Sequence, residues 1–284
     1  LLCFIALCLF FTPGKAQQLS VMTLRNGATV YIWEDKSKPD VFGMIAFKVG
    51  SVDDPEQYTG LAHYLEHVMF KGTQTIDALD WEKEKPIYEK IIAKYDERAA
   101  LSDPAAREAV DKEINDLTRE AAQYAAGNEF SLLVDHMGGQ GLNASTGYDQ
   151  TEYHNSFPPS QLEKWLEIYS ERLIDPVFRG FQTELEAVYE EYNMYNDDRG
   201  SRMREFIYEQ AFGDHPYARP IIGLPEHLKN PQLSKLIDFY NTWYGPQNMS
   251  IILVGNIDAK EAIPMIRDKF ERVPRRAEIH REKK

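Results

Sequence analysis

Cysteine is almost missing from this chain, and the two that occur cannot staple a fold. Cys3 and Cys8 both lie in the apolar opening stretch LLCFIALCLFFT, residues 1–12. With Gly14 and Ala16 forming a small-residue cleavage site, the stretch reads as a secretory signal peptide over residues 1–16. Bulky Leu7 before Cys8 and the apolar residues after it disfavour lipoprotein processing there. A chain cut after Ala16 keeps no cysteine, hence no disulfide and no thiolate ligand, although its expected compartment permits disulfides. Any metal must then be held by His, Asp or Glu. Long apolar runs are lacking as well: the opening one is too short to favour a membrane span, which needs about 20 residues. Surplus positive charge is also absent. Lys and Arg number 32 against 45 Asp and Glu, a net charge of −13, which becomes −14 when Lys15 is removed. Such acidity argues against nucleic acid as a partner. The expected location is the periplasm, with an extracellular one as the alternative.

What is present is ordinary for a globular protein, with 43% hydrophobic and 27% charged residues. One segment stands apart, His63-Tyr64-Leu65-Glu66-His67. On a helix, residues four apart lie one turn apart on one face, with Cβ atoms roughly 5–6 Å from each other. Two neutral imidazoles so placed can reach one zinc ion at about 2.0–2.1 Å each. Glu66 borders the same face and can touch a water on that ion. The order H-x-x-E-H is the reverse of the zincin signature and marks the inverzincin peptidases. Taken alone, five residues could equally be a surface helix carrying two histidines.

Hydrophobic patterning gives an α+β chain. Val21–Leu24 and Thr29–Trp33 flank Asn26-Gly27, a strong hairpin signal. Val41–Val49 reads as a strand ending at Gly50, followed by a polar loop into a helix near 58–71. Residues 79–126 form a helical hairpin, with apolar stripes on both arms and Ser102-Asp103-Pro104 between them as cap and first turn. The stripes hold the hairpin together or against the body; gating of a nearby site is the alternative. Gly138-Gly139-Gln140-Gly141 reads as a flexible turn, and no Gly-Lys-Ser/Thr follows it to make a phosphate loop. Residues 142–156 are extended and polar. Helices are expected at 160–174, 181–196, 201–212, 232–243 and 258–270, and a buried strand at Ser250–Val254. The fold class is a two-layer α+β domain with a mixed, mainly antiparallel sheet, helices on one face and the inserted hairpin.

A catalytic zinc site commonly has three protein ligands and an open position. The expected helix 181–196 supplies a third. Glu184 and Glu191 are seven apart and fall within roughly 20° of each other around the axis. They border Ala187 and Val188 on one side, and two acids flanking an apolar stripe are awkward unless a cation meets them. In isolation Glu191 would be an ordinary surface acid; the histidine pair changes that reading. His63, His67 and Glu191 then form a His₂Glu set, Glu66 the base for water, and Glu184 a neighbour that orients a ligand or holds a proton. His136, His154, His215, His227 and His280 show no ligand spacing and are expected to be structural or exposed.

Gly60 to Thr73, Leu142-Asn143-Ala144-Ser145-Thr146, the Glu184…Glu191 helix, His215-Pro216-Tyr217, and Asn248-Met249-Ser250 leading to Val254-Gly255-Asn256 together resemble the pitrilysin/insulinase family, in order, over roughly 18–272. The resemblance implies a zinc endopeptidase acting on peptides or unfolded proteins. It implies His63, His67 and Glu191 as zinc ligands, Glu66 as base and Glu184 as auxiliary acid. It also implies that Asn143, Ala144 and Ser145 lie on a sheet edge where substrate adds as a strand. The other reading of Asn143 is a capping residue after the glycines. Two acceptor patterns for glycosylation, at Asn143 and Asn248, are given little weight, since the first would block the substrate strand. The gap of 124 residues from His67 to Glu191 is long for the family, and the hairpin at 79–126 accounts for the excess. Family members enclose substrate between two lobes, so a second homologous lobe, in cis or in trans, is expected. Residues 17–274 would be the metallopeptidase domain and 275–284 a charged linker toward a continuation. A non-catalytic scaffold or peptide-binding member of the same fold is the alternative. Such relatives lose metal-site residues, whereas all five are present here.

Overall fold

The computed structural model describes residues 19–276 and Ile279. The expected signal peptide, both cysteines, His280 and most of the 275–284 linker lie outside the described residues.

The chain begins with strands β1 (Leu19–Thr23), β2 (Thr29–Glu34) and β3 (Val41–Phe47). Helices α1 (Leu61–Val68), α2 (Trp81–Ala100), α3 (Pro104–Ala121) and α4 (Glu129–His136) follow. A second hairpin comprises β4 (Gln140–Thr146) and β5 (Thr151–Phe157). Next are α5 (Leu162–Ile174), α6 (Phe181–Asp197), α7 (Arg199–Phe212), α8 (Pro225–Leu228) and α9 (Leu233–Trp243). Strand β6 (Met249–Gly255) and helix α10 (Ala259–Phe270) complete the described elements.

All six strands join one sheet in the order β1-β2-β6-β3-β5-β4. Only β2 and β6 pair in parallel; the other neighbours are antiparallel. This is the expected mixed, mainly antiparallel sheet. The Asn-Gly signal forms its hairpin as read, and Gly27 takes φ +103° in the turn. Alternate side chains of the central strands (Val41, Ile45, Phe47, Ile251, Leu253, Tyr153, Phe157) are buried under the helices. There α5 comes so near that a Cβ on Gly43 would lie 2.5 Å from the Trp165 ring. On the opposite face Leu19, Val21, Tyr31, Trp33 and Val254 remain exposed.

The hairpin α2–α3 packs through Ile91, Tyr95, Val110 and Ile114, all buried. Asp103 caps α3 by accepting from the Ala106 N–H at 2.9 Å. A bidentate pair between half-buried Arg179 and buried Glu84, at 2.6 and 2.8 Å, ties α2 to the segment that starts α6.

Several boundaries differ from expectation. The histidine helix covers only Leu61–Val68, not 58–71, because Gly60 adopts φ +90° and residues before it wrap around Asp54. The extended stretch 142–156 is two strands separated by a turn at 147–150. Gln140 and Gly141 belong to β4 rather than to a flexible turn. Helices α4 and α8 were not anticipated. Asn248 donates to the carbonyls of Lys48 and Trp243, a structural use of that amide.

Candidate metal centre

Two elements build the site. Helix α1 presents His63 and His67 from successive turns, and α6 crosses it with Glu184 and Glu191 on the facing side. The crossing is fixed by the Tyr64 hydroxyl, which donates to the Phe181 carbonyl, and by contact between their rings at 4.8 Å. Glu191 Oε2 lies 3.6 Å from His63 Nε2 and 3.5 Å from His67 Nε2. The three donor atoms all fall within 4.8 Å of one another. Donors held at 2.0–2.2 Å around a tetrahedral ion are about 3.3–3.6 Å apart, so the two imidazole–carboxylate spacings are those of a zinc site. No disulfide or thiolate competes among the described residues.

The electrostatics point the same way. Burial and the neighbouring His67 push His63 down to about 4. Burial also opposes charge on His67, but contacts with Glu184 and Glu191 carry it up to about 9. Both acids are held below the usual carboxylate range, first by His67, with burial opposing. Two carboxylates facing two imidazoles thus require a positive charge between them, which a proton on His67 supplies when no metal does.

Glu184 sits on the far side of His67 from Glu191. Its Oε2 lies 3.5 Å from His67 Nδ1, and its Oε1 takes the Lys71 ammonium. That arrangement leaves Nε2 of His67 for a metal and fixes the ring. The expected apolar stripe between the acids is only half formed: Val188 is buried, whereas Ala187 is exposed. Glu190 is exposed, as its angle on the helix required.

Glu66 is buried at the floor of a cleft of about 450 Å³ lined by His63, His67, Glu191 and strand β4. Burial raises its carboxyl above the usual range, and the Thr146 hydroxyl, donating to Oε2 at 2.5 Å, partly offsets that. A raised carboxyl suits proton transfer near neutrality. Asn143, Ala144 and Ser145 line the same cleft on β4, the outermost strand. Gly147 N–H bonds to Gln150 O at 2.7 Å, so that pair is hydrogen-bonded and alternation leaves Ala144 and Thr146 with N–H and C=O groups on the open edge. His63, Glu66, His67, Glu191, Asn143, Ala144 and Ser145 thus line one cleft, and Glu184 stands outside its lining, against Nδ1 of His67.

Other residues emerged only from the fold. Thr146 was part of a quoted segment without a role. Tyr195 donates its hydroxyl to Glu191, four residues before it on α6, and Lys71 stands four after His67. Tyr195 lies at the helical spacing that could have exposed it, whereas Lys71 lies beyond the end of α1. Arg204 also lines the cleft, and sequence gave no sign of it. The remaining described histidines stay away from the cleft. His215 and His227 accept backbone N–H bonds from Tyr217 and Thr59, structural roles as expected.

Known proteins share this architecture. The family model described as insulinase (peptidase family M16) matches residues 29–85 and 115–224, and one described as the peptidase M16 inactive domain matches 232–284. The probable zinc protease PqqL of Escherichia coli is 25% identical over 270 residues, 91% of this chain and 23% of that protein. A crystal structure of the first half of PqqL, called a periplasmic protease, superposes with a TM-score of 0.69 at 25% identity, covering 92% of this chain and 48% of that one. The structure of a protease from Helicobacter pylori superposes with a TM-score of 0.72 at 22% identity, covering 93% and 52%. The chain spans only 23–46% of the length of the first curated relatives it matches. With 167 residues inside the first family match, more than half of its length, this chain belongs to the insulinase family, peptidase family M16.

Proposed function

We propose that this chain is the metal-bearing part of a zinc endopeptidase that hydrolyses peptides or unfolded proteins. The observation that carries the reading is the meeting of His63, His67 and Glu191 at zinc-like spacing beside buried Glu66 in an open cleft. The names of the relatives, zinc proteases, support it. When bound, zinc would supply Lewis acidity toward a carbonyl and lower the pKa of a water. Glu66 takes one proton from the attacking water and returns it to the leaving amine as the C–N bond breaks. Thr146 holds Glu66, Tyr195 holds Glu191, and Glu184 with Lys71 holds His67. Asn143, Ala144 and Ser145 receive the substrate backbone as an added strand, through main-chain groups indifferent to sequence.

A second homologous lobe, in the same chain or another, completes the enzyme. The apolar sheet face of Leu19, Val21, Tyr31, Trp33 and Val254 and the short coverage of the relatives support this. The α2–α3 hairpin is an insertion into the catalytic domain, a reading supported by residues 86–114 falling between the two matched stretches. Residues 1–16 act as a signal peptide for export to the periplasm, where PqqL is described as working. Among the described residues, no helix is long and apolar enough to cross a membrane.

The test is Glu66→Gln in the full-length protein, assayed on a quenched fluorescent peptide with zinc content measured in parallel. The expected result is one zinc per chain and peptide cleavage reduced about 10²–10⁴-fold. Unimpaired cleavage would remove Glu66 from its role, and cleavage that survives a strong zinc chelator would end the metal reading.

A further inference from the structure

The helix that carries both histidines is eight residues long, too short to be stable by itself. Each of its ends meets a buried charge. At the start, Asp54 is 4% exposed and accepts the N–H groups of Gly60 at 2.7 Å and Ala62 at 2.9 Å. At the end, Arg172 of α5 is 2% exposed and donates to the carbonyl of Met69, the C-cap residue, at 3.0 Å.

Neither charge has a carboxylate–guanidinium contact to account for its burial. Arg219 is the cation nearest to Asp54 in effect, yet it donates to the Asp54 main-chain carbonyl, at 3.4 Å. Asp53 adds a like charge. Arg172 is enclosed by the rings of Phe70, Phe130, Tyr153 and Tyr169, with centroids 4.4–5.5 Å away, and its Nε and Nη1 find no hydrogen-bond partner. Burial pushes the Asp54 carboxyl up to about 7 and the Arg172 guanidinium down. Two isolated buried charges are costly features for a fold to keep. Both become intelligible together, because a helix presents partial positive charge at its N-terminus and partial negative charge at its C-terminus.

We propose that Asp54 and Arg172 are positioning residues that clamp α1 between them and so set the distance and orientation of His63 and His67. This rests on the metal reading of those histidines. The clamp acts through backbone groups only, so it fixes the imidazoles without touching metal or substrate. Residues on opposite sides of the motif, nine before it and about a hundred after it, thereby determine its geometry.

The test combines amide hydrogen exchange of the metal-free chain with cobalt(II) absorption, in Asp54→Asn, Arg172→Met and Arg172→Lys. In the first two variants, peptides covering α1 should exchange at least tenfold faster, while β3, β5 and the rest of α5 keep their protection. Their cobalt bands should weaken, and Arg172→Lys, which can still donate within the aromatic cage, should recover most of both signals. Exchange that rises evenly over the whole domain, or α1 protection that does not change, would overturn the clamp. If the parent chain binds no cobalt the metal reading falls, and the exchange measurement still decides whether α1 is clamped.

Discussion

Removing metal from this site should leave a protein whose stability depends on pH through one imidazole. His67 is carried from 6.5 to about 9 in the folded chain by Glu184 and Glu191, which overcome the effect of burial. A base with a raised folded pKa contributes stability that is fully present below pH 6.5 and is lost as pH climbs through 9. The whole shift is worth about 3.4 kcal/mol at 1.36 kcal/mol per unit. Its side chain is 24% exposed, and solvent screening reduces the figure to roughly 2–3 kcal/mol. For a domain of this size that is about 5–10 °C in melting temperature. The assay is thermal or urea unfolding of chelator-stripped protein from pH 6 to 10, for the parent and for His67→Gln. The difference between the two should shrink by the stated amount across the range. A constant difference would mean that no proton bridges the carboxylates, and the account of the site's charge would be wrong. His63 works in the opposite sense: depressed to about 4, it costs stability as pH falls below 6.5.

Other perturbations follow from the same contacts. Zinc uptake near pH 7.5 should release about one proton, seen as a dependence of binding heat on the buffer's ionisation enthalpy, because the His67 proton must leave. Ala144→Pro removes an outward N–H of β4 without breaking its ladder to β5, so KM for peptides should rise about tenfold or more with kcat little changed; an unaltered KM would dismiss the edge-strand mode. Glu84→Ala takes the carboxylate partner from half-buried Arg179, leaving it the Lys71 and Ile76 carbonyls, and should cost about 1–3 kcal/mol in urea unfolding. Asn26→Ala deprives the Phe270 and Val273 carbonyls of their donor and should cost about 1–3 kcal/mol.

How far the sequence spoke depended on the range of the interaction. The Asn26-Gly27 hairpin, the Asp103-Pro104 start of α3 and the i, i+4 histidine pair are local and were legible. Glu184 and Glu191 were found because seven residues make nearly two helical turns. Helix α4 escaped because it has only two buried positions, Phe130 and Val134, and starts from Asn128 at φ +67° without a side-chain cap. The true start of the histidine helix escaped because it is set by Asp54 and by Gly60, where a Cβ would lie 2.5 Å from the Ile222 carbonyl. Thr146 and Arg172 reach their partners across 80 and 103 residues of chain. Nothing in local periodicity encodes such pairs.

The position of β6 carries a consequence for how the molecule comes into being. Strands β2 and β3 are close in sequence, yet residues 249–255 lie between them in the sheet. During synthesis both must wait, with unsatisfied edges, for a segment made some two hundred residues later. Acquisition of the native state is then governed by distant encounters and belongs to the slow end of the range for domains. Until that strand arrives the β1–β2 hairpin and the β3-β5-β4 half have no strand to join them, so the sheet stays in two pieces and closes only when nearly all of the domain has been made.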